Sequence, residues 1–142
     1  MAGVTALALA GCGGASPTAE PTVEPAVAPG VIWQEPARYE YTVESHCGER
    51  LLIGTFKMTV ADGKVTEVSR ADEALPEAKP ENFPTLKDLL DEYSTAKQKG
   101  AHVAKLETDP ADGHPTRIEL DPIKNAIDDE ACYLISNYLV RS

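Results

Sequence analysis

The sequence predicts an α+β domain: an antiparallel β-sheet, with elements in the order βββ-α-βββ, and one amphipathic helix packed on one face. Three observations predict it. Apolar side chains alternate with polar ones over 39–44 and again over 51–60. Asp62-Gly63 separates two β-prone runs, and both residue types tolerate the positive φ of a two-residue hairpin turn. Leu86, Leu89, Leu90 and Tyr93 recur at i, i+3, i+4 and i+7, which makes one helical stripe.

The first strand is expected where Tyr39, Tyr41 and Val43 alternate with Glu40, Thr42 and Glu44. The second runs from Leu51 to Val60, with Leu52, Phe56, Met58 and Val60 on one face, and Lys64 to Arg70 returns antiparallel. Residues 71–84 carry Pro76, Pro80 and Pro84 among acids and read as an exposed connection. Thr85 then offers a hydroxyl to cap a helix start, the Asp88 carboxylate suits the positive end of that helix, and Gly100 suits its C-terminal stop. Three further strands are expected over roughly 101–108, 115–121 and 131–140, the first two joined by the turn-rich Asp109-Pro110-Ala111-Asp112-Gly113-His114-Pro115.

Charge excludes one class of partner. The chain has 13 Lys+Arg against 23 Asp+Glu, a net −10, and no basic cluster, so nucleic acid is not expected. The segment 1–37 holds three of the acids (Glu20, Glu24, Glu35) and no base, so 20 acids and 13 bases remain and the domain itself carries −7. The acidity belongs mainly to the fold.

No apolar run reaches the ~18 residues of a membrane-spanning helix. Val4 to Gly11 is nevertheless a short apolar run that ends in small residues just before Cys12, the shape of an export signal. Leu9-Ala10-Gly11-Cys12 resembles the lipobox of bacterial lipoproteins, in which the cysteine receives a lipid and the preceding residues are removed. This implies a signal peptide over 1–11, a lipid anchor on Cys12 and a location on the outer face of the cell membrane. No Lys or Arg precedes the apolar run, so a basic segment is expected upstream of Met1. Gly13 to Pro36, with prolines at 17, 21, 25, 29 and 36, lacks core-forming residues and is expected to be a solvated linker. The expected organisation is 1–11 signal peptide, 12–37 anchored linker and 38–142 domain, with Val31-Ile32-Trp33 as the first residues able to dock.

With Cys12 lipidated, Cys47 and Cys132 are an even pair in an exported protein, for which a disulfide is the natural reading. Redox catalysis is the alternative, although neither cysteine lies in a Cys-x-x-Cys. Asp109, Asp112, His114, Asp128, Asp129 and Glu130 offer donors for a ligand or a hard cation. Their spacing matches no EF-hand loop, and short acidic side chains are also what tight turns use. No metallohydrolase, nucleophile-elbow or phosphate-loop motif is present, so no catalytic residue, resident metal or cofactor is assigned.

Tyr39-x-Tyr41-x-Val43, Cys47-Gly48-Glu49-Arg50, Thr59-Val60-x-Asp62-Gly63-Lys64-Val65, Asp109-Pro110-x-Asp112-Gly113-His114-Pro115-Thr116 and Asn125-Ala126-Ile127-Asp128-Asp129-Glu130-x-Cys132-Tyr133 together resemble a family of actinobacterial secreted lipoproteins classed as a domain of unknown function. Some relatives carry Cys-x-Cys after the first strand. Here His46-Cys47-Gly48 has one cysteine, and the resemblance makes Cys132 its partner. It implies an envelope location and no assigned activity. The expected function is a lipid-anchored, non-catalytic domain that binds an envelope protein or small ligand. The competing expectation is an envelope hydrolase or cation-dependent enzyme that uses His114 and the acidic C-terminal loops.

Overall fold

Alternation along Arg38–Ser45 produces strand β1, in which Tyr39, Tyr41 and Val43 are fully buried. The computed structural model describes residues 13–14, 30–48, 52–70, 73–74 and 78–142. Cys12, the apolar run before it, most of the linker, and Glu49 and Arg50 lie outside the described residues. Strands β2 (Gly54–Ala61) and β3 (Lys64–Arg70) form a hairpin around Asp62-Gly63, whose φ angles of 50° and 72° are both positive. A two-residue strand, β4 (Glu73–Ala74), and a 3₁₀ turn at Pro80–Asn82 lead to the helix α1 (Leu86–Gln98).

Thr85 and Asp88 close a reciprocal capping box on that helix: Asp88 N donates to Thr85 Oγ1 at 3.1 Å, and Thr85 N donates to Asp88 Oδ2 at 2.8 Å. The tyrosines of β1 fix the helix start as well. Leu86 N donates to Tyr39 Oη at 3.1 Å, and Tyr41 donates its hydroxyl to the Pro84 carbonyl. Gly100, at φ 73°, ends the helix, and strands β5 (Val103–Thr108), β6 (Pro115–Asp121) and β7 (Ala131–Val140) complete the chain.

All seven strands join one antiparallel sheet in the order β4-β3-β2-β1-β7-β6-β5. The last strand thus returns to the first, and β1 and β7 are the seam between two runs of hairpins. Phe56, Met58 and Val60 of β2, Ile118 and Leu120 of β6, and Tyr133 and Ile135 of β7 are buried with the β1 tyrosines, Leu86 and Leu89 of α1 in one core. The opposite face is mostly polar, with Leu134 and Leu139 exposed on it. There Glu40 is held between Arg141 (3.1 Å) and Lys57 (3.5 Å), and the Arg141 hydrogen bond, against a small burial cost, keeps its carboxyl below the usual range.

The expected α+β class and βββ-α-βββ order do not hold. Among the described residues the structure is predominantly β, with a single helix of 13 residues that covers part of one face of a large sheet. Residues 71–84, expected as a plain connection, supply an edge strand and a 3₁₀ turn. The reason is physical: an amphipathic stripe announces a helix however small its share of the core. Strand order is set by long-range pairing, here β1 with β7, which leaves no local trace in the sequence.

Candidate functional site

The loop between β5 and β6 holds three of the residues singled out in the sequence. One donor atom each from Asp109, Asp112 and His114 lies within 4.8 Å of the other two. The loop is closed by its own hydrogen bonds. Gly113 N donates to Asp109 O at 2.8 Å and Asp109 N to His114 O at 2.9 Å. Asp109 Oδ1 accepts from Ala111 N at 2.8 Å, and Asp112 Oδ1 accepts from His114 N at 3.0 Å while also meeting His114 Nδ1. Burial works against the charge on Asp112, but these His114 contacts outweigh it and hold the carboxyl below its ordinary range. The His114 ring stacks on Tyr138, with centroids 4.2 Å apart and planes 23° from parallel. Among the described residues the hydrogen bonds of His114 run to Asp112.

A strap formed by residues 31–36 runs over this loop. A Cβ on Gly113 would stand 2.0 Å from Val31 O and 3.0 Å from Trp33 N, and its φ is +79°, so only glycine fits beneath the strap. Trp33 Nε1 donates to Tyr138 Oη at 3.0 Å, and the indole packs edge-on to Tyr39 at 5.9 Å. Tyr39 in turn donates to Glu35 Oε1 at 2.8 Å. Burial first, and then the Glu35 carboxylate, push the Tyr39 hydroxyl far above its ordinary range, so it remains a donor. The loop, strap, last strand and helix start therefore form one continuous network. Trp33 docks on the domain as expected for the Val31-Ile32-Trp33 segment, whereas Glu35 and Tyr138 carry no sequence signal that marks them as its partners.

Asp128, Asp129 and Glu130 do not join that group. They precede β7, at the other end of β6 from His114, about 20 Å away along a strand of seven residues. There Cys47 and Cys132 are joined by a disulfide with Cα atoms 5.4 Å apart. Gly48, at φ +78°, abuts the Glu130 carbonyl, where a Cβ would stand 2.1 Å from the oxygen. The acidic run thus belongs to a backbone crossing that the disulfide fastens. Asp128 itself sits at φ 71°, a turn conformation that Asp tolerates. Among the described residues the Asp129 carboxylate oxygens and Asp121 Oδ1 are occluded without a hydrogen-bond partner.

In front of this end, the C-terminal half of α1 stands away from the turn after β6 and leaves an open cleft of about 490 Å³. Ala96, Ala101, Leu120, Pro122 and Ile123 give it mostly apolar walls, with Glu92, Thr95 and Lys99 among the lining residues. Glu92 accepts a hydrogen bond from Tyr133 Oη at 3.2 Å. Ile123 is 63% exposed at the cleft, and Ile127, four residues on, is 84% exposed. No sequence motif marks this cleft, because its walls come from three separate elements.

A family model described as a family of unknown function (DUF6174) matches residues 33–140. The chain belongs to that family. The matched span opens on Trp33, the residue that anchors the strap, and closes at the end of β7. No curated protein and no solved structure matches the chain.

Proposed function

We propose that this DUF6174 member is an exported domain, tethered through a lipid on Cys12 to the outer face of the cell membrane, that binds a small apolar ligand and catalyses no reaction. The cleft between α1 and the turn after β6 carries the reading: it is concave and mostly apolar, with a few polar groups, as small-molecule sites are. The tether rests on the lipobox-like Leu9-Ala10-Gly11-Cys12 and the Pro-spaced sequence after it. Export is supported by the Cys47–Cys132 disulfide, a bond that persists in oxidising compartments. Binding is favoured over hydrolysis because Asp109 Oδ1, Asp112 Oδ1 and His114 Nδ1 are engaged in closing the loop that carries the strap.

Two measurements test the two halves of the proposal. Fractionation of cells that express Cys12→Ser should move the protein from the membrane to the soluble exported fraction, since stable anchoring needs the acyl chains. Membrane retention at the wild-type level would refute the tether. Calorimetric titration with an uncharged medium-chain alcohol should give saturable binding to the Cys12→Ser chain, and Ala96→Trp, which fills the cleft, should abolish it. Equal binding by both chains would move the ligand away from the cleft.

A further inference from the structure

The two edges of the sheet differ. β4 is a two-residue edge, too short to accept another strand, whereas β5 is an edge of six residues. On one side β5 pairs with β6, and among the described residues no segment pairs with its other side. Its register is regular. The irregularity at its end falls in β6, where Thr116 is the extra residue between the partners of Glu107 and Thr108. An open edge of this length is a template for another strand.

We infer that β5 is a self-association edge, at which a second copy of this chain adds antiparallel about a two-fold axis at Leu106. The charges fit that one register. On the polar face Lys105 lies opposite Glu119 and Glu107 opposite Arg117. Antiparallel pairing centred on Leu106 sets Lys105 against Glu107 of the second copy, and Glu107 against its Lys105. One row across four strands then reads Glu119, Lys105, Glu107, Arg117, with signs alternating at every step, and the two-fold axis repeats the row in reverse.

The existing ion pairs leave these groups available. Arg117 Nε holds Glu119 Oε1 at 2.8 Å, so Glu119 is already served, while Lys105 is 72% exposed and only 3.8 Å from Glu119 Oε2. Glu107 is exposed and has no ion pair among the described residues. On the helix face the same register puts Leu106 against Leu106 of the second copy, each flanked by its own buried Ile118. The seam is thus apolar on one side and charge-matched on the other, as cross-strand pairs require.

Sedimentation of the full chain carrying Cys12→Ser, over a concentration series reaching about 1 mM, tests the inference. The expected result is a reversible dimer that Lys105→Glu and Glu107→Lys each weaken by about tenfold or more, because each single reversal turns two attractive pairs repulsive. The Lys105→Glu/Glu107→Lys double variant should regain dimerisation. Thermal melts confirm that each variant is folded. In the wild-type chain, hydrogen exchange should show the β5 amides turned away from β6 gaining protection as concentration rises. A chain that stays monomeric throughout, single reversals that associate like wild type, or a double variant that remains monomeric would each overturn the inference. So would protection of β5 that requires an added extended peptide, which would make the edge an acceptor for other chains.

Discussion

The two ends of β6 are built on opposite plans. At its start, the Asp109–His114 loop is closed by its own hydrogen bonds, roofed by the strap and walled by Trp33, Tyr39 and Tyr138. At its end, the backbone is fastened by a disulfide and by the contact of Gly48 with Glu130, yet the side chains in front of it part into an apolar cleft with Ile123 and Ile127 exposed. The end that carries the most chemically suggestive motif is closed, and the end without such a motif is open. A dense motif of Asp, Gly and His therefore marks architecture here, because those residues are also the ones that turn a chain tightly and let two backbones touch.

Removal of the fastening should produce the largest effect. Cys132→Ala opens a loop of 85 residues and should cost roughly 2–5 kcal/mol, seen as a lower denaturant midpoint with the strap end still protected from exchange. Equal loss of protection at both ends would erase the distinction between them. Gly113→Ala comes next, at about 1–3 kcal/mol, since it places a methyl group at a φ of +79° under the Val31 carbonyl. Lifting the strap should also expose Trp33 and shift its fluorescence to longer wavelength. An unshifted spectrum would mean that the strap does not depend on the loop.

Much of this was legible locally. The Thr85 cap, the Asp62-Gly63 turn and the alternation of β1 each follow from residues a few positions apart, whose physics is local. The class, the strand order and the two-residue β4 were not, because they depend on which distant strands pair. The cysteine pair was legible from its parity, and the structure joins it. The candidate site was misread in its extent. Asp109, Asp112 and His114 do come together, but Asp128, Asp129 and Glu130 sit at the far end of β6, the strand expected over 115–121, whose length keeps the two acidic groups apart.

The smallest expected effect is at the closed end. The Asp112 carboxyl is held below its ordinary range in the fold, so its contribution to stability is complete above the unfolded value near ~4 and is lost as pH falls through the lower folded value. Its side chain is 47% exposed, which keeps the contribution below about 1 kcal/mol. Melts of wild type and Asp112→Asn should differ slightly at pH 6 and converge toward pH 3. A gap that does not narrow as pH falls would assign the effect to packing instead of charge.

If the proposed ligand binds at the open end of β6, the Asp109–His114 loop takes no part in binding it. Amide chemical-shift mapping of the Cys12→Ser chain during titration with an uncharged medium-chain alcohol tests it most directly. Saturable shifts confined to residues 92–101 and 120–123 are expected, with Asp112, Gly113 and His114 unmoved. Shifts centred on Asp109 to His114, with the cleft silent, would contradict it.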